Sequence, residues 1–240
     1  MPLLETAGLT RSFGSFVAVD GVDFSLDAGE MRAVIGPNGA GKTVFLHLLS
    51  GLLLPSRGRI TLDGADVSRL GIVERVRLGV TRSFQITNLF PNLTVADNVR
   101  LAARVKGAPE ARVAELLDLV GLRALAGLYP PQLAHGDQRH LEIALALAPS
   151  PRLLLLDEPT AGMSLGETGR TTALIKRINR DEGVTIVIVE HDMPLILELA
   201  HRITVLDRGR VLADGSPQRV AADPQVRAAY LGRGRHAARV

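Results

Sequence analysis

The chain has 240 residues, 46% hydrophobic and 22% charged, with a formal net charge of +3, no cysteine and no tryptophan. That length gives one large domain or two small ones with a substantial core, and the composition is that of an ordinary soluble globular protein. The lack of cysteine excludes disulfides, thiolate metal sites and a cysteine nucleophile, and an aromatic content of 3% argues against a base-stacking platform for single-stranded nucleic acid.

Met1 to Glu5 shows no basic region followed by an apolar stretch, so no signal peptide is expected. No apolar run approaches the roughly 20 residues that span a bilayer. Action at a membrane would therefore need docking onto the helices of other chains. The first thirty residues read as antiparallel strands ending in the turn Asp27-Ala28-Gly29-Glu30. Met31 to Ile35 is a short, mostly apolar run, readable as a buried strand.

Gly36-Pro37-Asn38-Gly39-Ala40-Gly41-Lys42-Thr43 then matches the phosphate-binding pattern G-x-x-x-x-G-K-[ST], and Val44 to Leu49 opens a helix. A strand, a glycine loop and a helix N-terminus make an anion cradle from free backbone N–H groups and the helix dipole. Gly36, Gly39 and Gly41 permit backbone conformations and close approaches that a Cβ would block. Lys42 suits the β- and γ-phosphates of a nucleotide, and the Thr43 hydroxyl suits Mg²⁺.

Further on, Arg59 to Leu62 with Asp63-Gly64 predicts a strand and a hairpin turn. From Val95 to Ala148 the pattern is helical, with Leu101, Ala102, Val105, Val113, Leu116, Leu117 and Val120 at helical spacing. Asn92-Leu93-Thr94 supplies capping residues, Pro130-Pro131 breaks the stretch and Pro149-Ser150-Pro151 closes it. Leu153 to Leu156 and Val184 to Val189 predict strands buried on both faces. Leu174, Ile175 and Ile178 mark a helix between them, giving a parallel crossover unit. Ile203 to Leu206 and Val211 to Ala213 form a terminal hairpin about Asp207-Arg208-Gly209-Arg210, and Arg233, Arg235 and Arg239 read as a solvated tail. The fold class is α/β: a phosphate-loop NTPase core with a mostly parallel sheet, an N-terminal antiparallel β subdomain and a helical insert.

The strand from Leu153 ends in Asp157-Glu158, which places two carboxylates at the C-terminal edge of a parallel sheet, beside the phosphate loop. Asp157 suits Mg²⁺, and Glu158 suits the role of general base toward an attacking water.

With this pair the chain resembles the nucleotide-binding subunit of ABC transporters over nearly its full length. That family's motifs occur here in order: the phosphate loop, Arg82-Ser83-Phe84-Gln85, Leu133-Ala134-His135-Gly136-Asp137, Leu153 to Thr160, Ala161-Gly162-Met163-Ser164 and Val189-Glu190-His191-Asp192-Met193. The resemblance implies one ATP-binding domain over residues 3–236, with a helical subdomain at about 90–150. It implies ATP and Mg²⁺ as ligands. Residues 36–44 (Gly36 to Val44) would cradle the nucleotide and Phe13 would stack on adenine, core packing being the rival role for that ring. Thr43, Gln85 and Asp157 would hold the metal, while Lys42, Glu158 and His191 would serve catalysis. It also implies a second ATP-binding subunit, identical or not, two membrane-spanning permease subunits, an indirect link to a solute-binding protein, no nucleic acid, and a place on the cytoplasmic face of the membrane.

One motif departs from the family. The family's signature is Leu-Ser-Gly-Gly-Gln, which caps the ATP held by the other subunit's phosphate loop. Here Ala134 replaces the serine and Asp137 the glutamine, so a heteromeric pair is expected over a homodimer. At finer resolution, Arg82 to Gln85, Leu89 to Val99, Ala161 to Ser164, Glu190 to Met193 and Ala229 to Gly232 are similar to the branched-chain amino acid import ATPases, and urea and amide importers share much of this set. A soluble ATPase of the same fold would carry a long coiled-coil insert or a second ATPase domain, for which the chain has no room. A GTPase would carry an Asn-Lys-x-Asp guanine reader, and none is present. A regulatory subunit without hydrolysis is opposed by the intact Lys42, Asp157, Glu158 and His191.

Overall fold

The computed structural model describes residues 1–83, 89–107 and 109–231. They divide into two compact units, Met1–Ile72 with the chain from Val187 onward, and Val73–Ile186.

The first unit opens with β1 (Leu4–Phe13), β2 (Phe16–Leu26), β3 (Met31–Ile35), α1 (Lys42–Ser50), β4 (Arg57–Leu62) and β5 (Ala65–Asp66). β1 runs antiparallel to both β2 and β4, with Leu4 opposite Leu26 on one side and Leu62 on the other. Period-two alternation thus brings leucines from three strands onto one buried face. Asp63 and Gly64 turn β4 into β5 with positive φ at both residues, the backbone a two-residue hairpin requires. This is the antiparallel N-terminal subdomain that the sequence predicts.

All five residues of β3 are buried, as expected of a strand covered on both faces. Arg32 lies among them because its guanidinium is fully engaged. It bonds Glu30, Asp214, the Thr204 hydroxyl and the Ser25 carbonyl, and lies 5.0 Å from the centre of the Phe24 ring. Phe24 in turn meets Phe45 of α1 edge to face at 5.3 Å, fastening the helix after the glycine loop to the antiparallel sheet.

The chain enters the second unit within α2 (Ile72–Arg77); this unit contains β6 (Val80–Arg82), α3 (Val95–Ala103), α4 (Glu110–Leu119), α5 (His135–Leu147), β7 (Leu153–Asp157) and α6 (Leu165–Arg180), and leads into β8 (Thr185–Val189), where the chain returns to the first unit. β6 and β7 are parallel, with Arg82 opposite Leu155. The helical stretch expected from Val95 to Ala148 is three helices, joined by short 3₁₀ turns at Arg104–Lys106, Arg123–Leu125 and Pro130–Gln132. Thr94 caps α3 as expected, its hydroxyl accepting from Asp97 N at 3.1 Å. Asn98 does more than its place in the pattern suggests. Fully buried, it donates to the carbonyls of Phe90, Leu93 and Thr94 and accepts from Phe90 N, so the turn before α3 is held by one side chain.

Back in the first unit come α7 (Met193–Leu199), β9 (Arg202–Asp207), β10 (Arg210–Gly215), α8 (Pro217–Ala222) and α9 (Pro224–Leu231). β9 lies parallel to β3, with Ile203 opposite Ala33, and forms the expected hairpin with β10. Arg233, Arg235 and Arg239 lie outside the described residues. Among the described residues, no helix is long and apolar enough to cross a membrane.

Candidate functional site

The glycine loop leaves the buried end of β3 and enters α1 at Lys42. Its shape is fixed by backbone on either side. A Cβ at Gly36 would overlap the carbonyl oxygen of Leu206 in β9, and one at Gly41 would overlap that of Ala18 in β2. Gly209 N donates to Ala40 O at 2.9 Å, and Asp20 N donates to Gly209 O at 2.8 Å. The turn between β9 and β10 therefore ties the loop to β2. Lys42 is buried, and its ammonium donates to the carbonyls of Gly36 (2.8 Å) and Pro37 (3.1 Å), folding back over the loop's own backbone. Thr43 and Val44 form the first turn of α1, whose N-terminal N–H groups have no acidic side chain in that turn to compete with an anion.

His191 follows β8, and its ring is exposed. Its backbone N–H donates to buried Glu190 at 3.1 Å, and the next residue, Asp192, caps α7 by accepting from Leu195 N. Phe13 ends β1 and is 44% exposed, with the Arg11 guanidinium 4.7 Å from its ring centre. The core-packing role that competes for Phe13 in the sequence is therefore overturned. Gln85 lies outside the described residues.

In the second unit, Asp157 ends β7 with no exposed surface. Its Oδ2 accepts from Arg82 Nη2 at 2.7 Å, while Oδ1 has no hydrogen-bond partner among the described residues. Burial pushes the Asp157 carboxyl up from the ordinary carboxylate range and the Glu158 charge adds to this, while Arg82 and Arg139 pull it down. Burial likewise lowers Arg82, with Asp157 opposing. A buried carboxylate with one oxygen unsatisfied fits a cation better than it fits an empty interior. Glu158 is half-buried and adopts φ +48°, a left-handed backbone that few non-glycine residues take.

Behind this turn stands α5, which begins in the signature. Ala134 occupies its N-cap position and offers no side-chain acceptor. The Gly136 N–H instead meets Glu167 Oε1 at 3.3 Å, from the carboxylate that also completes the Ser164 capping box of α6. These contacts hold Glu167 below its ordinary range, the Ser164 hydroxyl contributing most.

Sequence reasoning misses three things here: the Arg82–Asp157 pair, the Glu167–Gly136 contact and the burial of Arg139. Their partners stand 75, 31 and up to 20 positions away, and no local pattern announces them. Two histidines outside these motifs serve the fold. His201 accepts from Met31 N, and His140 bridges the Val120 carbonyl and the Thr171 hydroxyl.

Residues 19–161 match the family model "ABC transporter", and residues 210–236 match "Branched-chain amino acid ATP-binding cassette transporter". The chain belongs to the ABC transporter family of ATP-binding subunits and is a nucleotide-binding ATPase. The high-affinity branched-chain amino acid transport ATP-binding protein BraF of Pseudomonas aeruginosa is 37% identical, over 96% of this chain and 98% of its own. The methionine import ATP-binding protein MetN of Leifsonia xyli is 40% identical, over 92% of this chain and 68% of its own. Among solved structures, an ATP-binding cassette of an ABC transporter in its ADP conformation superposes with a TM-score of 0.86 at 27% identity, over 97% of this chain and 99% of that one. A dimeric cassette in a post-hydrolysis state with ADP and Pi gives 0.79 at 28%, over 89% and 98%. Importer subunits of this family work as dimers with membrane permeases.

Proposed function

We propose that this chain is the ATP-hydrolysing motor subunit of an importer for branched-chain amino acids, acting on the cytoplasmic face of the membrane as one ATP-binding domain over residues 3–236. The carrying observation is that the match to BraF runs through 98% of that relative, while residues 210–236 match a model specific to branched-chain amino acid cassettes. Methionine import is the second reading. It is favoured by the higher identity to MetN and weakened because only 68% of that relative is matched.

The family's motif order supports assigning the loop, the acidic strand and His191 to one nucleotide. Residues 36–44 bind the phosphates through backbone N–H groups and the dipole of α1, and Lys42 turns from the loop carbonyls toward phosphate. Mg²⁺, when bound, neutralises charge on the β- and γ-phosphates. Thr43, Gln85 and the unsatisfied Oδ1 of Asp157 are its proposed holders. Such a site needs only one or two protein carboxylates beside the phosphates. Glu158 takes the proton from the attacking water, His191 donates a hydrogen bond to the γ-phosphate and Phe13 stacks on adenine. The helical residues at about 90–150 pass the motion to two permease subunits, which receive solute from a binding protein.

Glu158→Gln in the transport complex is expected to lower ATP turnover by at least about 100-fold while Mg-ATP binding persists, and Lys42→Ala to lose binding itself. In the native host, Lys42→Ala should abolish uptake of labelled leucine and leave methionine uptake intact. Loss of methionine uptake alone would reverse the choice of solute.

A further inference from the structure

We infer that Arg139 is the positioning residue for the catalytic carboxylate, setting the backbone from which Glu158 projects. This rests on the reading of Glu158 as general base. Arg139 lies one turn into α5 and is 8% exposed. Its Nη2 donates to the carbonyl of Asp157 at 3.1 Å and to that of Glu158 at 2.8 Å, and its Nε donates to the carbonyl of Pro159 at 3.4 Å. Nη1 is held by Glu142 Oε2 at 2.7 Å, a carboxylate on the same helix and also buried.

One planar guanidinium thus spans three consecutive carbonyls, and the middle one belongs to the residue held at φ +48°. A left-handed backbone at a glutamate persists only when its surroundings impose it, and the fork of Arg139 imposes it. Lysine cannot reproduce that role, because an ammonium is a point donor without a fixed fork. Arg139 meets Glu158 at its backbone carbonyl, so it acts on the base by holding the backbone that carries it. Since α5 begins with the signature, any shift of that helix reaches the base through this side chain.

The test is steady-state ATP hydrolysis by the intact transport complex carrying Arg139→Lys, Arg139→Met, Glu158→Gln, or each Arg139 variant combined with Glu158→Gln. Mg-ATP binding and thermal unfolding are measured on the same full-length chains. Arg139→Lys keeps a cation beside Glu142 and carries the test if Arg139→Met fails to fold. The expected result is a kcat lowered about 30- to 100-fold, the scale on which a misplaced catalytic group costs rate, with KM and Mg-ATP affinity within twofold. In the Glu158→Gln background, the Arg139 change should add less than about a threefold further loss, as for groups acting as a unit. A folded Arg139→Lys with kcat within twofold of the parent overturns the inference. So does a full further loss in the Glu158→Gln background, which would mark Arg139 as merely structural. If Glu158→Gln alone hydrolyses at the parent rate, the reading of the base fails instead, and the two failures are told apart.

Discussion

Lys42 and the glycines around it are the residues most completely legible in the sequence, because their roles follow from neighbours in the chain. What holds them in shape is not legible: the carbonyls of Ala18 and Leu206 come from β2 and β9, and only the folded backbone shows that they press on the loop. This separates two glycines that look alike on paper. Gly41 has φ +100° and a carbonyl where its Cβ would go, whereas Gly39 has φ +79° and open space. Gly39→Ala should cost about 1–2 kcal/mol, the left-handed backbone alone. Gly41→Ala adds about 1–3 kcal/mol of overpacking, because a carbonyl fixed in a strand cannot turn aside. At about 2–4 °C per kcal/mol for a chain of this size, thermal unfolding without nucleotide resolves the two. Equal losses would show that the contact with Ala18 has no energetic weight.

At the scale of elements, the sequence indicates where helices begin better than where they end or what they bury. Thr94 and Ser164 are capping residues with acidic partners three positions on, and both cap as that pattern implies. The polar residues that α5 buries are less readable. Arg139, His140 and Glu142 fall on its inner face, where helical periodicity alone would place apolar residues. His140 is satisfied as a neutral ring by Val120 and Thr171, and burial lowers its pKa from 6.5, with Arg170 adding to this while Val120, Asp137 and Glu167 oppose it. The sign of the linkage follows. Well above pH 6.5 the ring is neutral in both folded and unfolded chains and stability does not depend on its titration. As pH falls below that, the unfolded chain takes up the proton first, so stability is lost. His140→Gln removes this titration while keeping hydrogen-bonding capacity. The stability advantage of the parent over the variant, from urea midpoints, should therefore shrink between pH 7.5 and pH 5.5. A constant gap would mean that the fold does not shift the ring's protonation, and a widening gap that the fold favours the charged ring.

For the whole molecule, the open question raised by the sequence is whether two copies of this chain can close on two ATP molecules, and the structure sharpens it at the signature. Ala134 leaves α5 without a side-chain cap, Asp137 sets an acid in its first turn, and Glu167 already engages the Gly136 N–H. All three put negative charge, or withhold a donor, where a partner's γ-phosphate is expected. Restoring the family's residues with Ala134→Ser and Asp137→Gln tests this, because stability and activity separate. Serine at the N-cap adds about 0.5–2 kcal/mol, and losing the acid from the first turn costs about 0.3–1 kcal/mol, so the fold is nearly unchanged. Any gain in turnover then reports phosphate capping. The double variant is expected to raise ATP hydrolysis several-fold in the assembled complex and to let Glu158→Gln form a dimer in Mg-ATP, by solution mass, where the parent signature leaves it monomeric. A dimer of Glu158→Gln with the native signature would mean that Gly136 and its neighbours still cap ATP, and the case for an obligate second subunit would fall. A monomer that binds Mg-ATP, and a dimer only after the signature is restored, would locate the need for a partner in two side chains.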